Sequence, residues 1–291
     1  QLELRGAIRS SAVAAAFRVV DRSAYTPARY RGCAFDDMPL RLHDDEAGCV
    51  LHLSAPSIYA AALEALDLQK SLRLSLLNLG SGAGYFSALA SKLVGDTAIH
   101  HCIEKCPKLT QRCRNTFAND GGLRHVRVHT ASAFDLDFES SFLFDRIYCG
   151  AGARAADAML FSRLLKPGGI MVGPFKFEPA EIGSTLGARV RSQALIKITR
   201  TRPGEAPLLH VDEFMAVQFT PLSRLRPPGS PRLELRGPEW GRDSPELFPP
   251  PFHAAVRLLA RASAARPPAP AAHRLPWHVR VWEMNILTFL A

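Results

Sequence analysis

Residues 74–93 constrain the fold most strongly. A largely apolar strand, Leu74–Leu79, runs directly into Gly80-Ser81-Gly82-Ala83-Gly84, and a helical pattern, Tyr85–Leu93, follows at once. Glycine reaches backbone angles closed to other residues and lets the main chain approach another group closely. A helix beginning just beyond such a turn aims its free N–H groups at whatever the turn encloses. The alternation then repeats. Ala98–Ile103 predicts a strand and Pro107–Ala118 a helix with Leu109, Cys113 and Phe117 on one face, while Val126–His129 and Phe144–Cys149 predict two further strands. Met159–Leu165 reads as a helix that stops at Lys166-Pro167-Gly168-Gly169, Ile170–Pro174 as a strand, and Ala194–Arg200 with Glu213–Phe219 as a final strand pair. Strands alternating with helices predict a mostly parallel sheet covered on both faces.

Upstream, Ile8–Tyr25 has Val13, Phe17 and Val20 at helical spacing with Ser11 as a candidate cap. An irregular stretch leads to a short strand, Cys49–Leu53, and Ser54-Ala55-Pro56 resembles a helix entrance, because proline is tolerated in the first turn. That helix continues through Ile58, Ala62, Leu63 and Leu66, and His43-Asp44-Asp45-Glu46 reads as an exposed loop. From Pro221 the periodicity fails. Residues 223–291 hold 12 of the 22 prolines and ten arginines against five acids, which predicts a flexible Pro/Arg-rich extension to a domain spanning 1–222. Within it, Phe252–Ala264 is an amphipathic helix pattern and Leu275–Ala291 is apolar again.

Composition removes whole classes of function. A hydrophobic share of 47% excludes a wholly disordered chain, and no apolar run reaches the roughly 20 residues of a membrane helix. The chain starts at Gln1 with no basic leader before an apolar stretch, so a trimmed product or fragment without a secretory signal is expected. The six cysteines form no C-x-x-C pair, and free thiols of a cytoplasmic protein are expected. His100-His101-Cys102 with Cys106 is the alternative, a metal site, but it lacks a second properly spaced pair. The net charge of +9 shows no basic cluster interleaved with aromatics in the folded part, so no nucleic-acid partner is expected.

The glycine turn suits two cofactors. Glu104 ends the next strand, where a carboxylate is placed to accept ribose hydroxyls. A dinucleotide fingerprint wants a third glycine where Tyr85 stands; the G-x-G-x-G spacing is that of S-adenosyl-L-methionine-dependent methyltransferases built on a seven-stranded sheet. A structural turn without ligand is the alternative.

Tyr25-Thr26-Pro27, Tyr30-Arg31, Asp37-Met38-Pro39-Leu40, Leu53-Ser54-Ala55-Pro56, Phe144-Asp145-Arg146-Ile147, Gly150-Ala151, Leu165–Gly169 and Val217–Leu222 occur in an order that resembles protein-L-isoaspartate O-methyltransferases. His52–Tyr59, Asn78–Gly82 and Asp145–Gly152 look most like the isoaspartate methyltransferase domain-containing proteins, whose tail resembles a SOCS box. The resemblance implies an α/β, seven-stranded Rossmann-like class I methyltransferase fold. It implies carboxyl methylation of L-isoaspartyl or D-aspartyl residues in damaged proteins, the ester then closing to a succinimide that hydrolyses partly to aspartate. It implies that Gly80, Ser81, Gly82, Ala83, Gly84, Glu104, Ser132 and Tyr59 hold the cofactor. Ser54 would hold the substrate carboxylate, its alternative role being a plain N-cap; Tyr59, where the parent enzymes carry a histidine, is otherwise core. Asn78 stands where those enzymes have Asp, and the loop Thr130-Ala131-Ser132 lacks their acid. In the tail, Phe248–Arg261 resembles an elongin-binding helix and Leu275–Leu290 a cullin-contacting box. These imply the alternative function, a substrate-recognition adaptor of an elongin/cullin ubiquitin ligase, and elements near 247–264 and 275–291.

Overall fold

The computed structural model describes residues 2–44, 49–68, 74–139, 141–176, 193–201, 209–219, 221–223 and 232–237. In chain order its elements are α1 (Ser11–Val19), β1 (Leu40–Asp44), β2 (Cys49–Leu53), α2 (Pro56–Leu66), β3 (Ser75–Leu79), α3 (Tyr85–Val94), β4 (Ile99–Glu104), α4 (Pro107–Asn119), β5 (Val126–Thr130), β6 (Phe144–Cys149), β7 (Ala153–Arg154), α5 (Ala155–Ser162), β8 (Leu165–Lys176), β9 (Ala194–Arg200) and β10 (Leu209–Ala216). The main sheet runs β10-β9-β8-β6-β3-β4-β5, with short β7 added beside β8, and β1 and β2 form a separate hairpin. Neighbours from β8 to β5 are parallel, whereas β9 and β10 are antiparallel.

Every β3 side chain is buried, the expected state of a central parallel strand covered on both faces. Leu76, Cys102, Tyr148 and Val172 enter one core with α1 to α4; Leu77, Ile103, Ile147 and Met171 enter the other with α5. Because β3 pairs with β4 on one side and β6 on the other, the strand order reverses at β3. A crevice opens at the carboxyl ends there, the position in such sheets where ligands bind.

Several expected boundaries are corrected. The first helix ends at Val19; the Asp21 side chain accepts the Ser23 N–H and starts a separate 3₁₀ turn, Arg22–Tyr25. Ser10, not Ser11, caps α1. The stretch before Cys49 includes β1, which pairs with β2 from Leu40 opposite Leu53. α5 starts earlier than expected, where Asp157 accepts the Arg154 N–H at 3.0 Å, and it ends earlier, at Ser162. β8 starts at Leu165, before the expected Ile170, but Lys166-Pro167-Gly168-Gly169 bulges out of its pairing with β6, with Gly168 at φ +79°. The last strand is Leu209–Ala216, in register from Leu209 opposite Arg200. Asp145 accepts from Ser75 N–H and Oγ and from Lys166 Nζ, at the sheet end away from the glycine turn. The fold also assembles a basic cluster, Arg29, Arg31, Lys108 and Arg112, that no run of sequence displays.

Gln1–Gly237 forms one unit. Residues 232–237 were expected in the extension, yet Leu233 bridges to Leu136 and Leu235 is buried in the α5-side core. The second unit, Pro238–Ala291, holds the expected tail helix and the SOCS-box-like segments, all of which lie outside the described residues. His43 and Asp44, expected in an exposed loop, instead end β1 opposite Val50 and Cys49, and Asp45 and Glu46 of that loop lie outside the described residues.

The histidine-cysteine run is core. His100 bonds Ser91 through Nδ1 and Ser87 through Nε2, both at 3.1 Å, and His101 stacks on His129. Among the described residues no group of three potential metal ligands forms. Burial pushes His100 and His101 down to about 3, aided by neighbouring histidines. Between that value and the unfolded value near 6.5, the unfolded chain binds protons that the folded chain refuses. This contribution to stability is complete above pH 6.5 and declines as pH falls, by roughly 1.4 kcal/mol per histidine per pH unit. Urea unfolding at pH 7.5, 6.0 and 5.0 should show a falling midpoint, with a shallower fall in His100→Gln; a constant midpoint would contradict the buried neutral state.

Candidate active site

The glycine turn is held from two sides. The N–H groups of Gly80 and Ser81 both donate to the Ile103 carbonyl, at 2.9 and 3.0 Å, and the Gly150 N–H donates to Leu79 O at 2.7 Å. The Gly82 N–H reaches a side chain instead, donating to Glu104 Oε2 at 2.9 Å, while Oε1 takes the Cys106 N–H at 2.8 Å. Glu104 thus stands braced at the end of β4, with lone pairs left for further donors. Gly80, Gly82 and Gly84 all sit at positive φ.

The three glycines have different duties. A Cβ on Gly82 would meet only ordinary contacts, the nearest being His52 O at 3.9 Å. A Cβ on Gly84 would strike Cys113 Sγ at 2.6 Å and Phe117 Cζ at 2.7 Å. Gly84, expected to hold a cofactor, therefore lets α3 pack closely on α4, and Gly82 leaves the turn open toward β2. Ala83 is buried in the core. Two buried oxygens at the turn, Asn78 Oδ1 and Ser81 Oγ, have no hydrogen-bond partner. A turn lined by glycine, two unmet acceptors and a carboxylate suit a ligand carrying an amine and hydroxyls. The amide of Asn78 donates to Ser87 Oγ at 2.8 Å, so this side chain is tied into the core.

β2 lies over this turn and delivers Ser54. The alternative role of Ser54, a plain N-cap, is not what the structure shows: Ala55 is the N-cap of α2, and the Ser57 N–H is taken at 2.9 Å by Asp37 Oδ1. Asp37 arrives on a loop that Arg22 fastens. This guanidinium, 2% exposed, donates to Ala34 O, Asp36 O, Met38 O and Ser54 O at 2.8 to 3.2 Å. Its burial lowers its pKa, with Tyr59, Tyr85, Asp37 and Asp36 opposing. The Tyr59 hydroxyl accepts the Ser54 N–H at 3.0 Å and also engages the Ser54 side chain. Its ring packs edge-on against Tyr85 within the core, so Tyr59 stands behind Ser54 as a brace.

Ser132 caps the turn Ala133–Asp135, its Oγ accepting the Phe134 N–H at 3.3 Å. It adjoins Glu104, whose carbonyl takes the Ala131 N–H at 3.0 Å. Over this end runs 221–223: the Leu222 N–H bonds Gly152 O, and Lys105 Nζ bonds Ser223 Oγ at 2.8 Å. The structure thus gathers Ser54, Tyr59, the glycine turn, Glu104 and Ser132 at one end of the sheet. Arg22, Asp37, Lys105, Gly150 and Leu222 belong there too, and site reasoning from sequence missed them. Asp37, Gly150 and Leu222 lay inside the motifs that carried the resemblance, which was the available signal.

A strand order reversing at β3, a glycine turn at the reversal and a braced acid one strand away define a class I methyltransferase fold. Residues 1–223 match the protein-L-isoaspartate(D-aspartate) O-methyltransferase family, and the chain belongs to it. Relatives named protein-L-isoaspartate O-methyltransferase include one from Ignicoccus hospitalis, 30% identical over 75% of this chain and 91% of its own. Another, from Myxococcus xanthus, is 30% identical over 75% and 92%. The fold is shared with a Plasmodium falciparum structure described as a protein-L-isoaspartate O-methyltransferase in complex with S-adenosyl-L-homocysteine (TM-score 0.60, 20% identity, 77% of this chain and 95% of that one). It is shared also with a second solved protein-L-isoaspartate O-methyltransferase (TM-score 0.61, 22% identity, 76% and 63%).

The glycine geometry separates binding from stability. Gly82→Val should cost about 2 kcal/mol for its left-handed backbone and leave the chain folded. The same side chain fills the open turn and should weaken S-adenosylhomocysteine binding at least tenfold in calorimetry. Gly84→Ala combines strain with overpacking and should cost roughly 3 kcal/mol in urea unfolding. Unchanged affinity in Gly82→Val would remove the turn from the ligand site.

Proposed function

We propose that this protein methylates the free carboxylate of damaged residues in proteins, the α-carboxylate of L-isoaspartyl and the β-carboxylate of D-aspartyl. One observation carries the assignment to this end of the sheet. Ser54 is released from capping by Asp37 and held by Arg22 and Tyr59 beside the glycine turn. S-adenosyl-L-methionine, when bound, supplies a methyl group on a sulfonium centre. Gly80 and Gly82 would admit it, the unmet Asn78 and Ser81 oxygens would accept from its amine, and Glu104 would take its ribose hydroxyls. Ser54 would donate its hydroxyl to the substrate carboxylate at the start of α2, where the helix dipole favours an anion. A carboxylate with a pKa near 4 is ionised at neutral pH, so the protein needs no general base. Orientation then supplies most of the rate gain.

Removing one hydrogen bond to a charged group costs roughly 1.5–3 kcal/mol. Ser54→Ala should therefore lower kcat/KM for an isoaspartyl peptide by about 10- to 100-fold while Tm and S-adenosylhomocysteine affinity stay near wild type. Asp37→Ala should instead lose about 1 kcal/mol of stability with the cap. Wild-type kcat/KM in Ser54→Ala would contradict the assignment.

We propose the cytoplasm as the compartment, supported by the five free cysteines among the described residues. No helix of the described residues is long and apolar enough to cross a membrane. A second role, adaptor to elongin B/C and a cullin through the tail, rests on sequence likeness alone. Elongin B/C should co-purify with the full chain and not with Leu258→Asp/Leu259→Asp; failure to co-purify with the full chain would end it.

A further inference from the structure

A chain of buried polar side chains leads from the glycine turn back into α3 and β4. The Asn78 amide nitrogen reaches Ser87 Oγ at 2.8 Å, Ser87 Oγ lies 3.1 Å from His100 Nε2, and His100 Nδ1 lies 3.1 Å from Ser91 Oγ. The Cys102 thiol sits 3.0 Å from Ser87 Oγ. Asn78, Ser87, His100 and Cys102 are wholly buried and Ser91 is 4% exposed, so bulk water completes none of these bonds. A neutral imidazole has one donor and one acceptor, a hydroxyl has a single proton, and sulfur is a weak acceptor. Burial pushes His100 down to about 3, with neighbouring histidines adding to the effect, so the ring is neutral at physiological pH. Two assignments then give every strong donor an oxygen or nitrogen. In the first, Asn78 donates to Ser87, Ser87 to His100 Nε2, and His100 Nδ1–H to Ser91. In the second each proton is reversed, Ser87 donates to the Asn78 oxygen, and the amide nitrogen turns outward. The dipole of α3 chooses between them. Ser87 is its third residue, so the Asn78 side chain lies against the positive N-terminal turn, where an outward oxygen is favoured over an outward amide nitrogen. That outward oxygen, Asn78 Oδ1, is the one buried without a partner.

We propose that Ser87 and His100 are positioning residues that lock the Asn78 amide with its oxygen toward the glycine turn, where it accepts from the cofactor's ammonium group; this rests on the cofactor role proposed above. Both act through Asn78. Their effect is to exclude the flipped amide, which would set N–H donors against a cation. Asparagine needs such a lock, because the two ends of its amide are similar in shape and opposite in hydrogen-bonding sense. Without the Ser87 hydroxyl, the inward amide nitrogen becomes a buried donor with no acceptor but sulfur. It then turns outward to escape the core, and the binding-competent orientation becomes the minor one.

Two measurements on the full chain test the lock. The first needs no cofactor: long-range proton–nitrogen correlation spectra of the histidine-labelled chain, with His100→Gln to assign the ring. His100 should be the Nδ1–H tautomer with Nε2 unprotonated, and the Nε2–H tautomer would overturn the proposal. The second is calorimetry with S-adenosylhomocysteine and with its analogue lacking the amine. Ser87→Ala should weaken the first ligand about tenfold and leave the second within about twofold, since only the amine reads the orientation of the amide. In Asn78→Asp, whose carboxylate offers an oxygen either way round, adding Ser87→Ala should change S-adenosylhomocysteine affinity by less than about twofold. No loss in Ser87→Ala, or an equal loss for both ligands, would overturn the proposal. The Nδ1–H tautomer in a wild type that binds neither ligand would support the lock and count against the cofactor role alone.

Discussion

Three strands end at one point, and their main chains come closer there than side chains permit. A Cβ on Gly150 would lie 2.7 Å from Gly80 O, and the same crossing carries the Gly150 N–H to Leu79 O bond. Ile103 O holds the other side through Gly80 and Ser81. Backbone N–H and C=O groups buried without partners cost as much as lost hydrogen bonds, and here nearly every one is paired across the crevice. The position of β4 relative to β6, the aim of α3 and the direction of Glu104 all follow from that close approach. Gly84 extends the same principle outward, since it sets the contact of α3 with Cys113 and Phe117 of α4.

Arg22 is the second hinge of the site. A buried guanidinium without a carboxylate partner is expensive, and its cost is offset by four carbonyl acceptors from two chain segments. Those acceptors fix the loop 34–38 against Ser54, and the loop in turn delivers Asp37 to the start of α2. One side chain thus connects the N-terminal segment, the helix cap and the candidate substrate-holding serine. A lysine could not reproduce this, because its single ammonium lacks the fork that reaches four oxygens.

How much of this the sequence displays depends on the range of the interaction. The parallel strands and the glycine turn are legible because apolar runs and glycine spacing are local signals, and Glu104 follows from chain order in such a sheet. The role proposed for Ser54 was legible only through likeness to a family. Its competing cap role fell to Asp37, which lies 17 residues earlier and is brought close by folding. Arg22 gives no local sign, since a lone arginine in a polar stretch resembles any surface charge. The stop signal Lys166-Pro167-Gly168-Gly169 was legible too: it bulges out of the β6 pairing, which resumes at Ile170 where the sequence placed the strand, and only the lone Leu165–Phe144 pair before it was hidden.

The central claim is that this end of the sheet transfers a methyl group to an isoaspartyl carboxylate with Asn78, a neutral amide, ahead of the glycine turn. Its most direct test is single-turnover transfer from radiolabelled S-adenosylmethionine to a matched pair of peptides differing only in one isoaspartyl or aspartyl linkage. Base-labile methyl ester on the isoaspartyl peptide alone is the predicted result. Saturating cofactor binding with no ester on either peptide would contradict it.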